Sequence, residues 1–367
     1  MARSEGTLGD WLTFKNGKTS PQRNKQGIYP VYGSNGLIGK ADISNINRSA
    51  IVIGRVGSYC GSTYYSPTPA WVTDNAIIAT SRHSQEDRFW FYALKYLDLH
   101  HWSHGSGQPL LNQTVLKSVP FEAPTPEERE RIAATLGALD DKIESNQRKH
   151  TLLEQIAFAH YLSSSRQEHH LFEVAALTMG SSPAGSTYNN HGDGAPFYQG
   201  VADFGVRFPE RRIWTTDPVR FAEPNDSLFS VRAPVGRLNR ATEKCCIGRG
   251  VASVHSGFPS TIFYALVNAR KEWEVYNAEG TVYGSINKKD LTALILDWPE
   301  PTSLIEVEQF LSQIDLRILA LHYESKNLAL LRDTLLPELM SGRIRVPEAR
   351  EAVQDAIDIE LPEVGDV

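Results

Sequence analysis

The feature that most constrains the fold is an internal repeat in the sequence. The segment 111–124 aligns with the segment 286–299 at a constant offset of 175 residues, and the Asn, Leu and Pro positions coincide. Near the start of each copy, Leu8 and Leu171 are each followed two residues later by an acid and then by a Gly-to-Pro segment, at a smaller offset. The repeat predicts two related halves that differ by insertions.

Each half consists of a globular part followed by a long helix. The globular parts, about 1–124 and 171–299, contain short apolar or β-branched runs bounded by turn residues, which predict strands. The clearest runs are Ala50–Ile53, Asn75–Ala79 and Ser227–Val231. One helix is expected within the first part, at 87–99.

Both predicted helices open with a capping box, Thr125-Pro126-Glu127-Glu128 and Ser303-Leu304-Ile305-Glu306. Apolar residues then recur with the four-three spacing of a heptad seam. The seam residues are Ile132, Leu136, Leu139, Ile143 and Leu153 in the first helix and Val307, Leu311, Ile314, Ile318, Leu321 and Leu328 in the second. Because neither helix can bury its stripe alone, the two are expected to pack on each other.

Several positions along the helices are expected to shape them. Asn146 and His150 interrupt the first seam, and we interpret them as polar residues that set the register rather than as ligands. Pro337 is expected to kink or end the second helix before Gly342 closes it. The acidic tail 347–367 has little to bury and is expected to be flexible.

Composition limits the compartment and the partners. The 367 residues, 41% of them hydrophobic, can form a core in each part, and no apolar run is long enough to span a membrane. The N-terminal residues lack the apolar stretch of a signal peptide, so a cytoplasmic protein without a membrane partner is expected. Cys60, Cys245 and Cys246 show no metal-binding spacing and are expected to be reduced thiols.

The net charge of −6 is unevenly distributed. Residues 300–367 carry 14 acidic against 6 basic side chains, whereas arginines concentrate between Arg207 and Arg249 in the second globular part. Such a cluster could contact phosphates. A solvated surface with scattered ion pairs explains these arginines equally well.

Metal and catalytic signatures are lacking in the sequence. His100, His101 and His104 have no nearby cysteine and only Asp98 as a carboxylate, so no metal site is predicted, and surface positions or a phosphate contact by His104 are preferred. We find no Asn-Pro-Pro-Tyr-like motif, no glycine-rich methyl-donor loop and no Walker-type loop. No catalytic residue is therefore predicted.

The order of these motifs resembles the specificity subunits of type I restriction-modification systems, in which two target-recognition domains alternate with two helical regions. The resemblance covers nearly the whole chain. It is carried by Tyr29–Gly36, Ile53–Ser58, Gly105–Asn112, Pro124–Glu128 and Leu335–Gly342. The second half departs from the pattern at 279–285, which puts the contact loop there in doubt.

The resemblance implies an α+β fold with an internal pseudo-two-fold repeat. Two mixed α/β, strand-rich target-recognition domains, 1–124 and 171–299, would be separated by two long antiparallel helices, 125–165 and 303–343, that form a coiled coil. It implies a non-catalytic subunit that recognises a bipartite, asymmetric site in double-stranded DNA. The implied protein partners are two methyltransferase (modification) subunits and restriction/translocase subunits, which would carry the methyl donor, ATP and magnesium, so this chain would bind no cofactor.

Glycine-rich loops are the expected DNA-contacting elements, because their side chains can reach phosphates and base edges while the backbone approaches closely. An ordinary tight turn is the alternative for each loop. The candidate residues are Ser34, Asn35, Arg55, Ser58, Tyr59, His104, Ser106 and Gln108 in the first part and Gln199, Arg211, Arg212, Arg232, Arg237, Asn239, Arg240 and Lys244 in the second.

Two other functions stay open at this point. A self-sufficient DNA modification or nuclease enzyme would show turnover by the purified chain. A coiled-coil scaffold that binds only protein would show no salt-dependent shift of mixed-sequence duplex DNA.

Overall fold

The computed structural model describes residues 3–103, 109–277 and 284–358. The chain divides into two compact units. Of the described residues, 3–103, 109–146 and 322–358 form the first unit, and 147–277 and 284–321 form the second. Each unit contains one globular part and segments of the same two long helices.

Ten α-helices lie within the described residues. They are α1 (Leu8–Trp11), α2 (Asp87–Tyr96), α3 (Gln113–Ser118), α4 (Pro126–Ser163), α5 (Leu171–Val174), α6 (Pro259–Asn268), α7 (Lys271–Glu274), α8 (Lys288–Thr292), α9 (Pro301–Ser341) and α10 (Val346–Asp358). Helices α3 and α8 begin alike, because Asn112 and Asn287 cap them by accepting the N–H groups of Val115 and Asp290.

The strands of the first unit are β1 (Ser4–Thr7), β2 (Leu12–Asn16), β3 (Tyr29–Gly33), β4 (Gly36–Ala41), β5 (Ala50–Gly54), β6 (Thr63–Ser66), β7 (Trp71–Val72), β8 (Ala76–Ser81) and β9 (Pro120–Ala123). They form sheets in the orders β2-β8-β5-β6, β4-β3-β7 and β1-β9. Pairing is antiparallel except between β3 and β7. Strand β5 is buried along its whole length, which explains its continuous apolar sequence.

The strands of the second unit are β10 (Arg166–His170), β11 (Ala176–Met179), β12 (Tyr188–Asn189), β13 (Ala195–Tyr198), β14 (Trp214–Thr215), β15 (Phe221–Ala222), β16 (Ser227–Ser230), β17 (Leu238–Arg240), β18 (Cys245–Ile247), β19 (Val251–His255) and β20 (Ile295–Pro299). Their sheets have the orders β11-β19-β16-β17, β12-β14-β13-β18-β15 and β10-β20. Here β16, like β5, is fully buried.

The apolar seam residues are buried or half-buried in the cores of their own units. In the first unit, Ile132, Leu136, Leu139 and Leu328 share one core with Trp90 of α2, and Ile143 packs at its edge. In the second unit, Val307 and Leu311 share a core with Tyr161, and Ile314 packs against it. Ile318 and Leu321 are buried and Leu153 is half-buried. Each helical segment is therefore held by its globular part.

The capping box predicted at Thr125 is confirmed at the hydroxyl, which accepts the N–H of Glu128 at 3.3 Å. The box predicted at Ser303 is wrong. Helix α9 begins at Pro301, and Ser303 lies in its first turn, where its N–H donates to the carbonyl of Glu300 at 2.9 Å. Proline at the first helical position starts the helix earlier because its φ is already helical.

Helix α9 continues through Pro337 and ends at Ser341, so Pro337 does not end it. Gly342 has a φ of +75°. The N–H groups of Gly342 and Arg343 bond the carbonyls of Leu339 and Glu338, which is the paired bonding of a glycine-terminated helix.

The flexible tail predicted from Pro347 onward is wrong for 347–358, which belong to α10. Ala349 and Val353 are buried against the first unit's core, and Ile357 packs at its edge. The four-residue spacing of this apolar stripe was hidden by the surrounding acidic residues. Residues 359–367 lie outside the described residues.

The three cysteines are buried free thiols, as predicted. Within the described residues, no helix combines the length and the hydropathy that a membrane span requires.

Candidate nucleic-acid interface

In the first globular part, backbone hydrogen bonds gather several loops at the end of β5. The N–H of Arg55 donates to Asn75 O at 3.1 Å, and Arg55 O accepts the N–H of Leu111 at 2.9 Å. The N–H of Gly57 donates to Pro109 O at 3.3 Å. The family-like stretch Ile53–Ser58 and the segment leading to Leu111 are therefore neighbours.

Gly54 brings a further loop to this end. A Cβ added to Gly54 would overlap the carbonyl oxygen of Tyr59 and lie 2.7 Å from that of Ser34. Glycine is therefore required for the close approach of the β3–β4 turn, which carries Ser34 and Asn35. We call these assembled loops the first loop end.

The second globular part repeats the same backbone bonds. The N–H of Val231 donates to Gly250 O at 3.0 Å, which corresponds to the bond from Arg55 N to Asn75 O. Val231 O accepts the N–H of Ile286 at 3.0 Å, which corresponds to the bond from Leu111 N to Arg55 O. These bonds assemble the loop after β16 with the loops before β19 and α8. We call this set the second loop end.

Two further backbone bonds also recur. Thr73 N donates to Tyr32 O at 2.9 Å in the first part, and Gly248 N donates to Tyr198 O at 2.8 Å in the second. A Cβ on Gly250 would overlap the carbonyl oxygen of Gln199. Gln199 therefore lies at the second loop end where the β3–β4 turn lies at the first loop end.

The first loop end exposes polar and aromatic side chains. Asn35, Ser58 and Tyr59 are exposed, and Ser34 and Arg55 are half-buried. Within the described residues, the Arg55 Nε is buried without a hydrogen-bond partner. His104, Ser106 and Gln108 lie outside the described residues.

The second loop end exposes arginines together with Gln199. Arg232 and Arg237 flank the loop after β16, and both are exposed. Arg249 is also exposed and adjoins Gly250, the partner of Val231. Among the residues that the structure describes, none of these three arginines forms an ion pair with an acid. Arg249 was visible only as a member of the arginine cluster, because its place depends on backbone pairing.

Three other exposed cations between Arg207 and Arg249 have acidic partners. Arg211 pairs with Glu243, Arg212 Nη1 lies 3.8 Å from Asp203 Oδ1, and Lys244 Nζ lies 2.8 Å from Glu223 Oε1. Local neutralisation reduces the attraction that these side chains offer to a phosphate. Their contact with DNA stays a prediction.

Asn239 and Arg240 must be withdrawn as DNA-contacting residues because both are buried. The Asn239 amide donates to Gly205 O at 3.1 Å. Arg240 pairs with Asp315, which also pairs with Arg207. These two arginines neutralise a carboxylate from α9 and are unavailable to a phosphate.

The histidines make local contacts. His100 Nδ1 lies 3.0 Å from Cys60 O, and His101 Nε2 lies 3.0 Å from Asp98 Oδ2. Burial raises the pKa of the Cys60 thiol and keeps it protonated. Within 3–103, 109–277 and 284–358, no cluster of three His, Cys, Asp or Glu side chains could hold a metal ion.

The family described as the type I restriction modification DNA specificity domain matches residues 4–155. The type I restriction enzyme MjaX specificity subunit of Methanocaldococcus jannaschii is 28% identical over 347 residues, covering 84% of this chain and 79% of the relative. The EcoprrI specificity subunit of Escherichia coli is 25% identical over 140 residues, covering 36% of this chain and 35% of the relative.

The crystal structure of the type I restriction-modification system S subunit from M. genitalium has the same mixed α+β fold. It aligns with a TM-score of 0.60 at 17% identity, covering 92% of this chain and 96% of that one. Specificity subunits of type I systems are non-catalytic DNA-recognition subunits. Residues 4–155 therefore match the DNA specificity domain of type I restriction-modification systems, and most of the chain is similar to a specificity subunit of such a system.

Proposed function

We propose that the chain reads a bipartite, asymmetric DNA site, with 1–124 and 171–299 as target-recognition domains for its two halves. The observation that carries the proposal is that the same backbone bonds assemble a loop end in each part, whereas the exposed side chains differ. Loops on a rigid body are suited to reading base edges. Different side chains on two such bodies would read two different half-sites.

The helical regions 125–165 and 303–343 would act as spacers. In this proposal they form an antiparallel coiled coil and relate the two parts by a pseudo-two-fold repeat. The polar seam position Asn146 supports a fixed register in the first unit, because its buried amide donates to Glu324 Oε2 on α9 at 2.9 Å.

The same helices would dock two modification subunits, and restriction/translocase subunits would join that assembly. In the second unit, Leu152 and Ile156 of α4 are exposed one helical turn apart, and in the first unit Leu330 of α9 is 67% exposed. Exposed apolar side chains on a helix are suited to a protein partner. The methyl donor, ATP and magnesium would be carried by those subunits.

The test is selection of bound and methylated duplexes from a random library, using the full chain assembled with the modification subunits. Replacing Ser58 and Tyr59 with Ala should relax one half-site, and replacing Arg232 and Arg237 should relax the other. Simultaneous relaxation of both half-sites by either variant would contradict independent reading. If the wild-type assembly shows no salt-dependent interaction with duplex DNA, the result would instead favour the interpretation of the chain as a protein-binding scaffold.

A further inference from the structure

The loop 231–237, which we call the arginine loop, is closed at its base by Ser230. The Ser230 hydroxyl donates to Pro234 O at 2.7 Å and accepts the N–H of Arg237 at 2.8 Å. The N–H of Gly236 donates to Ser230 O at 2.9 Å. One serine therefore ties three residues of the loop to the end of β16.

Asn277 holds the tip of the arginine loop through both functional groups of its amide. Its Oδ1 accepts the N–H of Val235 at 2.7 Å, and its Nδ2 donates to Val235 O at 2.9 Å. Both main-chain polar groups of one residue are thus satisfied by one side chain. This pairing fixes the orientation of the Val235 peptide groups without using either arginine.

Gly236 places the loop directly on the core. Its φ is +85°, and an added Cβ would overlap the indole ring of Trp273. Trp273 is 2% exposed and packs edge-on against Phe229, with ring centroids 5.0 Å apart. The loop backbone therefore rests on a buried aromatic pair.

The corresponding loop of the first loop end is built differently. Gly57 has a φ of +71°, and an added Cβ would meet nothing within 4 Å. The side chains exposed beside it are Ser58 and Tyr59 rather than arginines. The bracing of the arginine loop is therefore not a requirement of the repeated fold.

We propose that Asn277 is a positioning residue that presents Arg232 and Arg237 so that the arginine loop reads a guanine in the half-site of the second globular part. Guanine O6 and N7 accept the paired donors of a guanidinium, which is the commonest specific contact of arginine in the major groove. Because the backbone is already braced, the loop loses less conformational freedom on binding. The inference rests on the proposed function.

The first experiment identifies the base. Sites selected by the full chain with modification subunits should contain a guanine in the half-site that responds to the arginine loop. Replacing that guanine with 7-deazaguanine removes N7 and should weaken wild-type binding about ten-fold. One of the two variants, Arg232→Ala or Arg237→Ala, lacks the arginine that contacts this guanine. The same replacement should have no effect on the affinity of that variant.

The second experiment tests Asn277. Asn277→Ala should reduce discrimination at that guanine about ten-fold while leaving the salt dependence of binding unchanged, because both arginines remain. Gly236→Ala should do the same by shifting the loop away from Trp273. Asn268→Ala, which removes a half-buried side-chain amide bonded to Asp297, is the matched control for Asn277→Ala. Arg270→Ala, which removes an exposed arginine beside Glu274, is the control for charge.

Three outcomes separate the explanations. Full discrimination by folded Asn277→Ala protein would overturn the positioning role. A half-site without guanine, or arginine variants that lose only salt-dependent affinity, would overturn the guanine contact and leave phosphate binding. Wild-type protein that selects no DNA sequence at all would overturn the proposed function itself.

Discussion

Asp140 and Asp315 stand 175 residues apart, at equivalent positions of the repeat, and each meets a tyrosine hydroxyl from its own globular part. The Tyr92 hydroxyl donates to Asp140 Oδ2 at 2.5 Å, and the Tyr264 hydroxyl lies 3.3 Å from Asp315 Oδ1. In each unit, an aspartate–tyrosine pair therefore fastens a long helix, α4 or α9, to a helix of the globular part, α2 or α6.

The surroundings of the two carboxylates differ. The Asp140 side chain is 27% exposed, and its cation is Arg332 from α9. Asp315 is 8% exposed and lies between Arg207 and Arg240 of the strand-rich part. Burial, reinforced by the adjacent Asp140 carboxylate, raises the pKa of Tyr92, and burial likewise raises the pKa of Tyr264.

Equivalent sequence positions can therefore contribute different amounts to the free energy of unfolding. A partly solvated ion pair contributes little, because water stabilises the separated charges almost as well. A buried carboxylate between two buried guanidinium groups cannot be removed without leaving uncompensated charge. We therefore expect the second unit to depend on Asp315 far more than the first depends on Asp140.

The largest expected effect is that of Asp315→Ala. It should cost about 3–5 kcal/mol of stability in the second unit, because Arg207 and Arg240 would stay buried without a counter-charge. Asp140→Ala, the matched variant, should cost about 1 kcal/mol. Hydrogen exchange of peptides from each unit measures both effects. Equal losses of stability would contradict the different dependence of the two units on these carboxylates.

Removal of α10 should affect the two units unequally, because α10 belongs to the first unit alone. Truncation after Arg345 should destabilise that unit by about 2–4 kcal/mol, since Val346, Ala349 and Val353 would leave its core. Exchange in peptides from 171–299 should not change. Substituting exposed Glu351 with Gln is a control that keeps the helix. Unchanged protection of α4 in the truncated chain would contradict the packing described for α10.

A smaller effect concerns binding rather than stability. Arg249→Ala should lower the slope of log affinity against log salt concentration by about one, because one phosphate contact is lost. Tyr59→Ala, at the first loop end, should weaken binding without changing the slope. Titrations of one duplex at several salt concentrations give both values. An altered slope for Tyr59→Ala would show that the two loop ends do not differ in electrostatic character.

The smallest effect is expected at the start of the first part. Hydrogen bonds from the N–H and hydroxyl of Thr7 hold the pKa of the Asp10 carboxyl below its usual value. The stabilisation is therefore present above the unfolded pKa of about 3.9 and is lost as the pH falls through the folded pKa. Asp10→Asn should slightly lower the midpoint of urea-induced unfolding at pH 7. At pH 2 it should leave that midpoint unchanged. A difference that persists at pH 2 would exclude the charge as its cause.

Much of the architecture was accessible from sequence because it depends on local pattern. The Thr125 cap and the burial of Leu136 and Leu311 follow from spacing and residue type. Helix α10 was missed because its apolar stripe is short and lies among acids. Its burial depends on α4, whose Lys142 donates to Ile357 O across 215 residues of the chain.

The candidate interface was less accessible because charge alone does not reveal pairing. Arg232 and Arg240 look equivalent in the sequence, yet the first is exposed and the second is buried against Asp315. The partner lies 75 residues further along the chain, on a helix that the sequence assigned to another domain. Arg249 was passed over for the converse reason, since only the Gly250–Val231 bond brings it to the loop end.

The loops of each end are joined to one another mainly through main-chain atoms, and this has a consequence for how the protein can change. Bonds between peptide groups do not depend on which side chain a residue carries, except where a glycine such as Gly54 is needed. Under the proposed function, substitutions at Ser58, Tyr59 or Arg249 would therefore alter what is recognised while the framework persists. New target preferences would then be accessible by single steps, each compatible with a folded intermediate.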